Sequence, residues 1–360
     1  MSDLPGDVLR RMRRELERIG YFAVVSSLYP VAVYDRPEPL RPSISDPMLS
    51  STVALFHGGA RVPAERLPSA LVPVLQDLAA AGVLVDRNEA GFSIAPLMLS
   101  RTLGIALFHE RPSPRTRVYF GNESIALGLR LEPRHGDAVL DLCAGPGFQS
   151  LVAARTARRV VAVEINPVAA SVLSCNAALN GLDDIVVRCT DLASFEDEDR
   201  FDLVVANPPL VPVPAGTPFP FVGDGGPDGL DVTRVILSRL DRWMAPESRL
   251  QLIGFGFPWI DGERLPSALG RLASVDLDLL VTVSGVFAYK PGAPAFEMMV
   301  ESIAGYGGVD ATEARERVGA HAEQQDLRLL LSFVARGERA ASRRIRTVDF
   351  GRTPFGGWYA

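Results

Sequence analysis

The sequence predicts an α/β protein with a doubly wound, Rossmann-like sheet behind a mostly helical N-terminal region. Three observations predict it. From Asp137 to Ile303, strand-like apolar runs alternate with helix-like segments. The runs Val139 to Leu142 and Arg159 to Ile165 lack a regular polar face, as parallel strands covered on both sides do. The first run then enters a glycine corner, Asp137 to Leu151 (DAVLDLCAGPGFQSL), where Gly145 and Gly147 let the backbone approach a ligand ahead of a helix opening near Phe148.

Ahead of this core, residues 4 to 19 read as a basic amphipathic helix that packs on its own domain, with Leu4, Val8, Met12, Leu16 and Ile19 at helical spacing. Phe22 to Val33 is strand-like, and the four prolines between Arg36 and Pro47 predict an extended connection. Thr52 to Pro96 follows the order apolar segment, helix (Pro63 to Ala81), small hairpin (Val83 to Ile94), the outline of a winged-helix-like unit with a scaffold or lid role. Pro112 and Pro114 mark a boundary. The predicted division is 1–50 (helix and linker), 51–112 (winged-helix-like), 113–308 (central domain) and 309–360 (helix and tail). Within the central domain, Leu277 to Ser284 and Phe296 to Ile303 predict a closing hairpin. Residues 311 to 336 predict a helix with Leu327, Leu330, Leu331 and Val334 on one face, ahead of the aromatic tail Phe355 to Ala360.

Bulk properties narrow the function. At 360 residues the chain can bury a full enzyme core. A net charge of −6 argues against nucleic-acid binding through bulk charge, although residues 1–120 hold a small excess of arginine and are the likelier contact for an anionic partner. No apolar stretch is long enough for a membrane span and no signal peptide is evident, so the expectation is cytoplasmic. Cys143, Cys175 and Cys189 lack metal-ligand spacing and read as small buried hydrophobes; the four dispersed histidines predict no metal site.

Glu164 ends the second strand 23 residues after Asp141, where a carboxylate can accept both hydroxyls of a ribose. Asp191 and Leu192 end the third, where they can meet an adenine amino group and ring. An NAD-dependent dehydrogenase fits too, but its fingerprint needs a third glycine or alanine where this chain has Ser150. The fourth strand decides the matter, because it ends Asn207-Pro208-Pro209-Leu210. Two prolines remove two backbone donors, so the Asn207 side-chain oxygen and the Pro208 carbonyl can hold one incoming NH2 group with its lone pair aimed outward.

With these motifs the chain resembles the class I S-adenosylmethionine-dependent methyltransferases, in the Asn-Pro-Pro branch that methylates amino or amide nitrogens. The resemblance covers residues 115 to 305 and implies a seven-stranded methyltransferase sheet with an antiparallel last strand. It implies S-adenosylmethionine as cofactor, with Asp141, Ala144, Gly145 and Gly147 at its methionine end, Glu164 at the ribose, and Asp191 with Leu192 at the adenine. Tyr119 and Ile165 are counted with the cofactor residues, and Asn207 as well. Asn207, Pro208, Pro209 and Leu210 would hold the acceptor. Gly225 to Asp231, with Arg234, is similar to the loop after this motif in release-factor glutamine methyltransferases.

One departure bears on the acceptor: Leu210 stands where that branch has an aromatic ring. Phe219, Phe221 or the tail could supply the ring instead. The expected reaction is methylation of a nitrogen in a small molecule or peptide. The alternatives are a protein-glutamine or RNA-base N-methyltransferase, and a non-catalytic scaffold or DNA-binding regulator. Nucleic acid is the less favoured partner, and the sequence leaves the oligomeric state open.

Overall fold

A computed structural model describes residues 6–27, 44–111, 113 and 115–351. The front third holds helices α1 (Gly6–Arg18), α2 (Tyr21–Ser27), α3 (Pro47–Phe56) and α4 (Leu71–Ala80), and two hairpins, β1 (Asp86–Asn88) with β2 (Gly91–Ser93) and β3 (Leu97–Thr102) with β4 (Ile105–Glu110). Helix α5 (Asn122–Arg130) leads into the sheet. There follow β5 (Ala138–Leu142), α6 (Phe148–Ala153), β6 (Arg159–Glu164), α7 (Pro167–Asn180), β7 (Ile185–Cys189) and β8 (Phe201–Ala206). The second half carries α8 (Asp231–Leu237), α9 (Leu240–Trp243), β9 (Met244–Gly256), a minimal hairpin β10 (Trp259–Ile260) with β11 (Glu263–Arg264), and α10 (Leu265–Leu272). It ends with β12 (Leu277–Ala288), α11 (Pro294–Gly307), α12 (Ala311–Gln324), β13 (Leu329–Arg339) and β14 (Arg344–Asp349).

Eight strands form one sheet in the order β14-β12-β13-β9-β8-β5-β6-β7. Strands β5 to β9 pair in parallel, β13 runs antiparallel to both β9 and β12, and β14 pairs in parallel with β12. The predicted antiparallel strand is therefore present, and the sheet has one strand more than expected because residues 344–349 add an outer edge. Strand order reverses at β5: the chain first moves outward through β6 and β7, then returns to β8 on the other side. A crevice opens at such a reversal, at the carboxyl ends of β5 and β8.

Several local expectations are corrected. Phe22 lies in a helix, because Tyr21, Phe22 and Val25 share a buried helical face and Tyr21 donates its hydroxyl to the Leu99 carbonyl at 2.6 Å. Helix α3 was missed although its start is written in sequence: Asp46 caps the Met48 and Leu49 amides, and Pro47 occupies the first turn. The helix predicted from Pro63 is shorter, since a 3-10 turn (Ala64–Arg66) precedes α4. Phe296 to Ile303 belongs to α11 and buries Phe296, Met299, Val300 and Ile303 at helical spacing. The closing strand is instead β13, whose Leu330, Leu331, Phe333 and Val334 are buried on both faces of the sheet. Cys175 is buried as expected, but Cys189 is exposed and Cys143 only partly covered. Residues 28–33 of the strand-like run, residues 36–43 of the proline linker, Pro112, Pro114, Leu4 and the aromatic tail lie outside the described residues.

Several arginines of α1 are engaged within the protein. Arg10 meets Asp183 at 2.6 Å, Arg11 meets Asp77 at 2.5 Å, and Arg13 donates to the Asn180 amide oxygen at 2.8 Å. No helix among the described residues is long and apolar enough to cross a membrane.

Helix α7 joins the front third to the sheet. One flank, with Ala169, Val172, Cys175, Ala178 and Leu179, belongs to the apolar cluster built by α1 to α4. On that helix Asn176 and Asn180, one turn apart, complete the exposed edge of β4. The Asn176 oxygen accepts the Phe108 amide at 2.8 Å while its nitrogen donates to the Phe108 carbonyl at 3.0 Å and to the Pro146 carbonyl at 2.9 Å. Asn180 treats the Ala106 amide and carbonyl the same way, at 3.1 and 2.7 Å.

Two predictions follow from this core. Asn176 is fully buried, so Asn176→Ala strands the backbone groups of Phe108 and should lower the free energy of unfolding in urea by about 2–4 kcal/mol; Ser171→Ala on the exposed side of the helix serves as the control. The second concerns acid. Burial holds the His109 imidazole down at about 4, and burial together with the Arg111 guanidinium does the same for His57. An unfolded chain takes up these protons below about 6.5, so the stabilisation is complete above that pH and is lost as pH falls toward 4. His109→Gln should show a shallower loss than the wild type over this window, and identical slopes would remove His109 from the account.

Candidate active site

The site grows from the turn after β5. Cys143 and Gly145 adopt left-handed backbone angles, φ +59° and +54°, and the Ala144 amide returns to the Val163 carbonyl at 3.0 Å. A non-glycine residue at such a φ is held there by its surroundings. The holding group is Glu164 at the end of β6. Its carboxylate accepts the Gly145 amide at 2.7 Å with one oxygen and the Asn166 amide at 2.8 Å with the other. Burial raises the pKa of this carboxyl, while the backbone amides of Asn166, Gly145 and Ile165 act against the rise.

A cavity of about 380 Å³ opens here. Its lining brings together Tyr119, Ala144, Gly145, Glu164, Ile165, Asp191, Leu192, Asn207 and Pro209, nine of the residues singled out in the sequence. Four others lie outside that lining. Asp141 is 1% exposed and accepts the Ser150 hydroxyl at 2.5 Å, which ties β5 to α6. Burial first, and then the Glu164 charge, push its carboxyl up to about 7. Gly147 serves packing: at φ +88°, a Cβ there would lie 2.5 Å from the Leu173 side chain of α7. Pro208 is buried. Leu210 points into the apolar cluster beneath the sheet rather than into the pocket, so no ring at that position could cover an acceptor without repacking the core. The helix after the turn opens at Phe148 as expected and spans Phe148–Ala153.

Asn207 ends β8. Its amide nitrogen donates to the Ser124 hydroxyl oxygen at 2.9 Å, and the Ser124 proton is directed to the Glu123 carboxylate at 3.3 Å. The Asn207 oxygen is thereby turned away from Ser124, and it is buried without a partner among the described residues. Buried polar atoms are nearly always paired, so an unpaired one in a cavity wall marks a place for a ligand. Sequence reasoning missed Ser124, which is 83 positions from Asn207 and has no local signature. It also missed Asp224, which lines the same cavity with Phe221 and Asp231.

Residues 115–212 match the family model of the TRM5/TYW2 methyltransferase domain. The chain is 31% identical over 184 residues to the ribosomal protein uL3 glutamine methyltransferase of Bradyrhizobium diazoefficiens, covering 44% of this chain and 58% of that protein. It is 30% identical over 234 residues to the release factor glutamine methyltransferase of Mycolicibacterium smegmatis, covering 50% of this chain and 81% of that protein. It is 34% identical over 124 residues to the 4-amino-L-phenylalanine/4-methylamino-L-phenylalanine methyltransferase of Streptomyces pristinaespiralis, covering 32% of this chain and 42% of that protein. With four-fifths of the release-factor enzyme's length matched, the chain belongs to the class I S-adenosylmethionine-dependent N-methyltransferases, the family of the release factor glutamine methyltransferases.

Proposed function

We propose that the protein methylates a nitrogen of a peptide or small molecule and that Asn207 holds that nitrogen. The observation that carries this reading is the buried, unpartnered Asn207 oxygen, aimed by Ser124. The relatives named for glutamine and for 4-amino-L-phenylalanine support an amide or amine acceptor.

The pocket fits S-adenosylmethionine. Glu164 spends one lone pair per oxygen on backbone amides and retains others for ribose hydroxyls. Ile165, 57% exposed beside it, and Leu192 offer apolar cover, and Gly145 has no side chain to obstruct the turn. Tyr119 and Ala144 complete this end, and Asp191, whose other contact is the Ala193 amide at 2.8 Å, would accept from the adenine amino group. Asp141 and Gly147 act behind the turn, through Ser150 and Leu173. Bound there, the cofactor supplies a methyl carbon activated by a sulfonium.

At the other end, the Asn207 oxygen and the Pro208 carbonyl accept the two hydrogens of the incoming nitrogen. Pro208 and Pro209 have no N–H, so they offer no backbone donor to compete for its lone pair. Held in this way the nitrogen faces the cavity, and positioning accounts for most of the rate. No strong base is needed at the outset, because the nitrogen becomes acidic only as the new bond forms.

Calorimetric titration tests the reading. S-Adenosylmethionine should bind and NAD should not, and Glu164→Ala should weaken binding by more than about tenfold. Asn207→Ala should retain cofactor affinity yet lose about 100-fold or more in methyl transfer across a panel of glutamine peptides and aromatic amines. Failure of a folded sample to bind S-adenosylmethionine would overturn the proposal.

A further inference from the structure

The charge of the pocket bears on what surrounds the methylated nitrogen, an inference that rests on the acceptor assignment above. Past Pro209 the chain loops out and returns beside its own motif: the Val211 amide donates to the Gly223 carbonyl at 2.9 Å and the Gly225 amide to the Val211 carbonyl at 3.0 Å. Asp224 is thereby bridged to Val211, four residues after Asn207. Gly225 and Gly226 permit this closeness, since a Cβ on the first would lie 2.9 Å from the Leu210 carbonyl carbon and one on the second would overlap the Asp231 carboxylate.

Four carboxylates line the cavity, Glu164, Asp191, Asp224 and Asp231, against one cation, Arg117. That guanidinium stands 3.7 Å from Glu110. Arg234, the base beside the loop, is held by both oxygens of Asp228 and shares its remaining reach with Asp231 at 3.2 Å. Asp224 has no ion-pair partner among the described residues; one of its oxygens accepts the Gly226 amide at 3.0 Å and the other meets no donor among them. Beside these acids the Phe221 ring is half exposed in the cavity wall. An aromatic face next to an unpaired carboxylate is a favourable seat for an ammonium or guanidinium group.

We propose that Phe221, Asp224 and Asp231 select acceptors that carry a positive charge beside the methylated nitrogen, with a basic peptide as the substrate class. The charge is carried next to the nitrogen, since a protonated amine has no lone pair to donate. The same wall repels a phosphate backbone.

The test uses the full chain saturated with S-adenosylhomocysteine and fluorescein-labelled ligands at physiological salt. The ligands are three repeats of Arg-Gly-Gln, three repeats of Glu-Gly-Gln, and a single-stranded RNA of equal length, followed by anisotropy. The arginine peptide should bind about tenfold more tightly than the glutamate peptide. Asp224→Asn, which keeps the oxygen on the Gly226 amide, should cut that preference about threefold, and Phe221→Ala should also reduce it. Asp349→Asn at the far sheet edge should leave it unchanged. Equal affinity for the two peptides, no binding of the arginine peptide, tighter RNA binding, or an equal effect of Asp349→Asn would overturn the inference while the N-methyltransferase reading stands. Absence of S-adenosylhomocysteine binding by calorimetry would overturn both.

Discussion

The structure depends on one buried carboxylate. Glu164 joins three elements at one point: the end of β6, the left-handed turn after β5, and the entry to α7. A carboxyl group away from water needs hydrogen-bond partners on its oxygens, and here they are the backbone amides of the turn and of the helix entry. The constraint runs onward through Asn166, which caps α7 at the Val168 amide and reaches the Arg117 carbonyl at 2.7 Å. The floor of the pocket is therefore set by electrostatic necessity before any ligand arrives.

The Asn207 end of the pocket is organised by the opposite circumstance, a polar atom left without a donor among the described residues. Ser124 fixes the Asn207 amide from a helix distant in sequence, so the free oxygen is oriented in advance and, under the proposed reading, would need no reorganisation to meet an N–H group. The prolines that follow shape the same surface by subtraction, since neither has a proton to offer. Leu210 completes the separation of roles: it belongs to the core, while Phe221 from the returning loop lies in the wall.

Much of this was legible in the sequence because it is local. The strand, turn and helix around Gly145, Glu164 at the end of β6, and Asn207 at the end of β8 are each written within a few residues. Gly147 was legible as a glycine but not for its reason, because the Leu173 side chain that excludes a Cβ comes from another helix. The closing strand β13 was misread for a physical cause: a run buried on both faces is apolar at nearly every position, so Leu327, Leu330, Leu331 and Val334 fall at helical spacing although the segment is a strand. Ser124 and Asp224 acquire meaning only when distant segments meet, and no spacing announces them.

The amide ladder between α7 and β4 bears on how far this protein can be regarded as modular. Asn176 spans the Phe108 backbone and the carbonyl of Pro146 inside the cofactor turn, so a single side chain belongs to both halves of the molecule. A fragment trimmed to the sheet would present the apolar flank of α7 to water along with two amides robbed of their strand. Transplanting a different front unit onto this sheet would require a strand whose free edge meets the spacing of Asn176 and Asn180. The front third is thus less an accessory than a missing wall of the same building.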